Sequence, residues 1–194
     1  ENGKVYQLDK FTGKKRWKVS LDTDLSTGVA IDADNVYIGS IDGSIIALNK
    51  QTGDQVWSAK LSSEPVSPPA VYSGHVVIHA NNGDIFNLQA DTGELRWRYS
   101  TNQPALTIRG TGRPQFFGEY TVIGLANGKL ILLDLASGEL RWEDRVTTPK
   151  GETEIERIVD VDGAPAVTKN KLFAVSYQGR VVAYDLQSGK PMWA

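Results

Sequence analysis

The stretch that decides the fold is NGKVYQLDKFTGKKRW, at positions 2–17. Stretches of the same length and similar pattern return four more times, and each closes on a tryptophan. They are DGSIIALNKQTGDQVW at 42–57, NGDIFNLQADTGELRW at 82–97, NGKLILLDLASGELRW at 127–142 and QGRVVAYDLQSGKPMW at 178–193. The five tryptophans of the chain all occupy this closing position: Trp17, Trp57, Trp97, Trp142 and Trp193. Self-similarity of this kind is the signature of a repeat architecture.

One repeat contains four β-rich segments separated by turn residues. In the repeat that begins at residue 67 these segments read AVY, HVVIHA, IFNLQA and LRWRY. The turns between them are SG, NNGD and DTGE, in which Asn and Gly tolerate positive φ angles. The alternation of apolar and polar residues has the period of strands and not of helices. Each repeat is therefore predicted to be an antiparallel meander of four short strands.

A four-stranded sheet of this size has two apolar faces and must stack on its neighbours to bury them. Radial stacking of such sheets gives a β-propeller, whereas the alternative, a β-helix, has shorter repeats. We therefore predict an all-β propeller of about four and a half blades, with a tryptophan filling each gap between blades; stacked tryptophans that bind a ligand are the alternative. The predicted divisions are the outer half of a blade at 1–17 and blades at 18–57, 58–97, 98–142 and 143–194.

Composition narrows the classes of function. The formal net charge of −2 gives no electrostatic reason to expect nucleic acid as a partner. The sequence has no apolar run of the roughly 20 residues that a membrane helix needs. Cysteine is absent, which excludes disulfides and thiolate metal sites in this chain. The chain opens inside a repeat, which predicts that it is an interior or C-terminal fragment with apolar terminal faces prone to self-association.

The repeats differ mainly in the connectors that lead from the last strand of one blade to the first strand of the next. The connectors are 18–26, 58–66, 98–111 and 143–162, with lengths of 9, 9, 14 and 20 residues. Connectors of this type all lie on one face of a propeller. Insertions confined to one face of a repeat array usually mark a binding face.

The two long connectors have unusual contents. The first places Leu106, Ile108 and Arg109 in a segment with no evident core to join, and the second is acidic and includes Asp160 and Asp162. Because the blades are consecutive, the two connectors should be neighbours. An apolar pair, an arginine and an acidic cluster suit a protein-interaction site. Alternatively, Arg109 pairs with Asp160 or Asp162 and pins the two connectors together, and both can be true.

Two levels of resemblance follow from these motifs. The turn with Asp, Thr or Ser, and Gly before each tryptophan, clearest at 91–97 and 134–142, resembles the tryptophan-docking repeat of quinoprotein-type propellers. The segments LTIRG (106–110) and TEIERIVDVDGAP (153–165) resemble the equivalent loops of the BamB family, lipoproteins of the outer-membrane β-barrel assembly machinery. Ile108 stands where that family usually has Leu, which keeps the apolar character.

The resemblance implies a non-enzymatic scaffold that assists the folding and insertion of outer-membrane β-barrel proteins. In that family the matching segments dock on the periplasmic POTRA domains of BamA, which makes Leu106, Ile108, Arg109, Asp160 and Asp162 the expected partner-binding residues. Unfolded outer-membrane proteins are further candidate partners. The resemblance also implies eight blades in the whole protein and a place on the periplasmic face of the outer membrane of a Gram-negative bacterium. Contact with the membrane would then come only through a lipid anchor that this chain does not contain.

Two other functions are compatible with the repeat. One is a fragment of a pyrroloquinoline-quinone-dependent dehydrogenase, and the other is a propeller that binds a different protein. The acidic connector could supply oxygen ligands for Ca²⁺, although its spacing does not match an EF-hand loop. His75 and His79 share one face of a strand, but a catalytic or metal site needs a third partner. We therefore expect no catalytic, cofactor-binding or metal-binding residues, and no cofactor.

Overall fold

The structure is a computed structural model that describes residues 3–102, 104, 112–149, 152–153, 156, 158–161, 163–177 and 179–194. The described residues form strands and no helix, and so they contain no helix that could cross a membrane. In chain order the strands are β1 (Lys4–Leu8), β2 (Lys15–Ser20), β3 (Ala30–Ile31), β4 (Asn35–Gly39), β5 (Ser44–Asn49), β6 (Gln55–Lys60), β7 (Ala70–Tyr72), β8 (His75–His79), β9 (Ile85–Gln89), β10 (Leu95–Tyr99), β11 (Gln115–Phe117), β12 (Tyr120–Gly124), β13 (Lys129–Asp134), β14 (Leu140–Arg145), β15 (Ala166–Val167), β16 (Lys171–Val175), β17 (Val181–Asp185) and β18 (Pro191–Trp193).

Hydrogen bonding groups these strands into a two-stranded sheet, β1–β2, and four four-stranded sheets. Every pairing is antiparallel, and the strands of each sheet lie in chain order, so each sheet is a meander. We name β1–β2 the half-blade and β3–β6, β7–β10, β11–β14 and β15–β18 the first to fourth blades. The prediction of an all-β propeller with about four and a half four-stranded blades is confirmed.

The element boundaries differ from the predicted ones in a regular way. The outer strands run past the tryptophans to Ser20, Lys60, Tyr99 and Arg145, so each blade includes residues that the sequence assigned to the next. The first strands of the blades begin at Ala30, Ala70, Gln115 and Ala166, three residues after positions 27, 67, 112 and 163, where the predicted connectors end and the next blade begins. In three blades the residue before the inner strand is a proline, which has no N–H to donate to a ladder and so delays the start of pairing.

The core lies between the blades. The middle strand β4 is buried at all five positions, as expected for a sheet that is covered on both faces. One apolar cluster joins Tyr37 and Trp57 of the first blade to Phe86 and Leu88 of the second. Each blade therefore completes its core with side chains from its neighbour, and no blade has a separate core of its own.

The tryptophans make the link between one blade and the next. The indole Nε1 of Trp57 donates a hydrogen bond of 2.8 Å to the backbone oxygen of Ala90, and that of Trp97 donates one of 2.9 Å to the backbone oxygen of Leu135. Both side chains are 8% exposed, whereas Trp193, on the last strand of the chain, is 53% exposed. The following blade buries the ring and supplies the acceptor for its N–H.

The turn before each tryptophan is shaped to receive the tryptophan of the preceding blade. Gly93 has a φ of +75°, and a Cβ there would lie 2.6 Å from the ring of Trp57. Only glycine can occupy this position without displacing the indole. In the third blade the turn is held by Asp134, whose Oδ1 accepts the N–H of Ser137 at 2.9 Å while its Oδ2 binds Arg141 at 2.8 Å.

Replacing Trp97 by alanine tests the interblade link. We expect Trp97→Ala to lower the free energy of unfolding by on the order of 3–5 kcal/mol, because it leaves a cavity between two blades and removes one of the hydrogen bonds that the Leu135 oxygen accepts. Trp193→Ala is the matched control and should cost less than about 1 kcal/mol, since its ring is exposed. Urea midpoints of the three proteins give the comparison; similar losses for both variants would show that the following blade is not what stabilises the ring.

Acid should weaken the turn that Asp134 holds. The Arg141 guanidinium, followed by the N–H of Ser137, lowers the pKa of Asp134 from 3.8 to about 2. A pKa that is lower in the folded state stabilises the fold above the unfolded value and stops doing so as the pH falls. We expect the urea midpoint to fall between about pH 4 and pH 2, and to fall less in Asp134→Asn. Glu139→Gln, on the same turn, is the control and should follow the wild type; parallel curves for all three proteins would contradict the assignment.

Candidate partner-binding face

The described parts of the connectors contact the turns between the second and third strands of the blades. The N–H of Leu61, just after β6, binds the oxygen of Gly43 at 2.8 Å, and the N–H of Val146, just after β14, binds that of Gly128 at 2.9 Å. Both acceptors lie in second-to-third-strand turns. We call the surface made by the connectors and these turns the connector face.

The residues that directly follow the two long connectors are in contact. A Cβ built on Gly112, which follows the first connector (98–111), would lie 2.7 Å from the backbone oxygen of Gly163, which follows the second (143–162). The two backbones are therefore in direct contact, and a side chain at Gly112 would push them apart. That the connectors themselves are neighbours stays a prediction, because most of the first connector lies outside the described residues.

The last part of the longer connector is packed into the fold. Val159, Asp160 and Val161 are all buried, at 2%, 1% and 1% exposure. The N–H of Val161 donates to the oxygen of Leu125 at 3.2 Å, and the oxygen of Asp160 accepts the N–H of Tyr177 at 2.8 Å. This segment thus fastens the third blade to the fourth. The shorter connectors have isolated bridges at comparable places, Leu25 to Ser40 and Pro65 to Ala80.

Part of the acidic character of this connector serves its own folding. The Oε2 of Glu156 accepts the N–H groups of Glu152 and Thr153, at 2.9 and 3.1 Å. The N–H of Glu156 in turn donates to Oγ1 of Thr153 at 3.3 Å. These bonds, that from the N–H of Thr153 first, lower the pKa of the Glu156 carboxyl group. The carboxylate of Glu156 closes a local turn, in the reciprocal manner of a capping box.

The five expected partner-binding residues have different outcomes. Leu106, Ile108, Arg109 and Asp162 lie outside the described residues. Asp160 is described, and its burial separates it from the solvent-facing surface that a partner would meet first. Of the two roles open to it, holding the connectors in place agrees with this burial better than direct contact with a partner.

The histidines take part in blade packing. Nδ2 of the fully buried Asn87 lies 2.9 Å from Nδ1 of His75 and also donates to the oxygen of Leu135 at 2.9 Å. The backbone oxygen of Leu135 therefore accepts hydrogen bonds from both Asn87 and Trp97. The sequence did not predict the bond from Asn87, because this residue looks like an ordinary polar position of a strand. His79 is completely buried, and burial lowers its pKa to about 4. Within the described ranges, no three His, Cys, Asp or Glu side chains are grouped as metal ligands would be.

Comparison with known proteins gives a consistent result. A family model described as outer membrane protein assembly factor BamB matches residues 1–194. The protein of that name from Burkholderia pseudomallei strain K96243 is 36% identical over 193 residues, which are 99% of this chain and 50% of that protein. The crystal structure of BamB from Moraxella catarrhalis matches with a TM-score of 0.89 and 31% identity, covering 93% of this chain and 56% of that one.

Enzymes of the quinoprotein type share the architecture. A europium-containing methanol dehydrogenase matches with a TM-score of 0.76 over 98% of this chain and 47% of the enzyme, but at 15% identity. A likeness at that identity shows the fold alone. This chain spans about half the length of the full-length relatives that it matches from end to end. Because the family model covers every residue, the chain belongs to the family of the outer membrane protein assembly factor BamB.

Proposed function

We propose that this protein is a non-enzymatic scaffold in the assembly of outer-membrane proteins, and that it binds the POTRA domains of BamA through its connector face. The observation that carries the proposal is the contact between Gly112 and Gly163, the residues that directly follow the two long connectors. It supports a surface that the chain's two insertions share. The proposed location is the periplasmic face of the outer membrane, which the family membership supports.

The first step in the proposed recognition is apolar. Leu106 and Ile108 insert their side chains into a groove or along a strand edge of the partner. Apolar anchors surrounded by polar groups are the usual centre of a protein interface. The same segment can add main-chain hydrogen bonds to a partner strand. The regular blades serve as the rigid support, since their cores are shared between neighbours and tolerate little local movement.

The second step is directional. Arg109 supplies planar, charged N–H donors at the edge of the apolar anchors, which fixes the orientation of the partner. Asp160, buried in the connector, and Asp162 hold the guanidinium in place from within the protein. A buried carboxylate next to an arginine organises the binding segment and does not itself need to touch the partner. The burial of Asp160 supports this division of roles.

A quinone-dependent enzyme is the competing function. It predicts that the protein binds pyrroloquinoline quinone when this cofactor is titrated into it. Saturable binding of pyrroloquinoline quinone with dye-linked oxidation of an alcohol would establish it and overturn the scaffold proposal. The described residues lend it no support, since none of them form a group of metal-ligating side chains.

Removing the Arg109 side chain tests the directional contact. We expect Arg109→Ala to weaken binding to purified BamA POTRA domains by roughly 2 kcal/mol or more, which is typical of an interface hot spot. The unfolding midpoint should change little. The alternative, in which Arg109 only pins the connectors, predicts the reverse: lower stability with a small, indirect effect on binding. Calorimetric titrations and melting curves of both proteins separate the two, and equal affinities would remove Arg109 from the interface.

A pair of glycine substitutions tests whether the contact between Gly112 and Gly163 matters for binding. We expect Gly112→Ala to reduce the affinity for the POTRA domains, because its Cβ would meet the Gly163 oxygen at 2.7 Å and separate the two backbones. Gly163→Ala makes the same chemical change on the facing backbone, but its Cβ would meet nothing nearer than the Cβ of Val175, at 4.0 Å. It should bind like the wild type. A Gly112→Ala variant with full affinity would show that this contact is not part of the recognition.

A further inference from the structure

The grooves between blades are not filled equally. The residue two positions after each tryptophan points into the groove toward the next blade. Val19 packs against the cluster between the half-blade and the first blade, and Tyr99 packs against the cluster between the second and third blades. The matching residue between the first and second blades is Ala59. Its small side chain leaves room that a valine or tyrosine would occupy.

A cleft of about 380 Å³ is found at Ala59. Buried Leu61, Phe86 and Leu88 contribute its apolar wall, with the exposed Leu95 at one side. The matching cleft at Tyr99, in the next groove, measures about 170 Å³. Only the larger one falls in the size range typical of ligand-binding clefts, roughly 300–1,000 Å³.

The charges of the two clefts also differ. Lys60 and Arg98 line the cleft at Ala59, and no carboxylate does. The cleft at Tyr99 has Glu143 at the position equivalent to Arg98, because Glu143 pairs with Ile131 as Arg98 pairs with Phe86. Glu143 is joined there to Lys129 at 2.7 Å. The first cleft is therefore mainly apolar with the Arg98 guanidinium at its rim, whereas the lining of the second cleft contains an ion pair of its own.

Arg98 keeps donors for a ligand. It binds the carboxylate of Asp84 at 2.6 Å, but Asp84 is almost fully buried and the arginine side chain is 47% exposed. A guanidinium has five N–H donors, so one carboxylate partner leaves others available. Lys60 also lines the cleft, but its side chain leaves β6 on the face opposite to Ala59, and its Nζ is held by the carboxylate and the backbone oxygen of Asp42.

We propose that this cleft binds a small anionic amphiphile, an aliphatic chain that ends in a single carboxylate, such as a medium-chain fatty acid. The chain lies in the space beside Ala59, against Phe86 and Leu95. The carboxylate accepts hydrogen bonds from the Arg98 guanidinium at the rim. This site goes beyond the proposed scaffold function and does not depend on it.

The first test fills the cleft from within the protein. Decanoate is titrated calorimetrically into the wild-type chain, into Ala59→Tyr and into Ser58→Tyr. Tyrosine is the residue found at the matching position in the next groove, so the fold has a place for it. Ser58 is exposed on the same strand with its side chain on the opposite face, which makes Ser58→Tyr the matched control. We expect one saturable site in the wild type and in the control, and an affinity at least about tenfold lower in Ala59→Tyr.

The second test concerns the charged rim and does not rely on Ala59→Tyr folding. Lys60→Gln alters an exposed pair on the opposite face of β6 and should bind decanoate like the wild type. Decanol, which has the same chain without the charge, should bind the wild type more weakly than decanoate does. Equal affinities of decanoate for the wild type and Ala59→Tyr would place the binding elsewhere, for example on exposed apolar surface around Trp193, and overturn the proposal. Equal binding of decanol and decanoate, or no saturable binding, would overturn it as well.

Discussion

The hydrogen bond from an indole N–H to a backbone oxygen of the next blade is the interaction on which the rest of this structure depends. It requires a large flat side chain at the end of one blade and a carbonyl at a fixed place in the next. The ring needs a residue without a side chain beneath it, which explains the glycine of the turn. That turn also needs a side chain such as Asp134 to accept hydrogen bonds from its N–H groups. The bond is made by Trp17, Trp57 and Trp97, whereas Nε1 of Trp142 is buried without a hydrogen-bond partner among the described residues.

This dependence also explains what could be predicted from the sequence. Contacts that recur in every blade leave a recurring pattern, and the spacing of the tryptophans and turn glycines was enough to predict the meander, the blades and the face that carries the insertions. The starts of the inner strands were predicted three residues early, because the spacing locates the turn and not the first hydrogen bond after Pro69 or Pro114. The periodicity of the sequence predicts the blades, whereas the exact ends of the strands depend on local residues such as proline.

Features that occur once could not be predicted in the same way. Asp160 is one of several acidic residues in its connector, and nothing in the sequence shows that it is buried and the exposed Glu156 is not. The role of Asn87 is evident only from its hydrogen bond to Leu135, a residue of the next blade. The cleft at Ala59 depends on a comparison between equivalent grooves, which requires knowing which residues are equivalent in space. Function in a repeat protein is concentrated in such departures from the repeat.

The same departures divide the molecule into parts with different tasks. Strands such as β4, β8 and β12 are buried almost throughout and keep the blades in register. The connectors carry the variable chemistry, and the longer one still uses Val159 and Val161 to fasten itself to that frame. The described end of the longer connector is thus already ordered by its contacts with the blades.

The tryptophan of each blade packs against the next blade in the chain, and this direction sets the order in which the blades can be completed during synthesis. The tryptophan of each blade is buried by the blade that follows it in the chain. The core of a blade is therefore complete only after the following blade has been synthesised. In a chain that emerges N-terminus first, each blade therefore waits for about 40 further residues, roughly two to eight seconds at ordinary rates of synthesis. The two insertions lengthen that wait for the second and third blades. The two inserted connectors thus delay the burial of the tryptophans that precede them. During that interval the indole rings remain exposed to solvent and to other molecules.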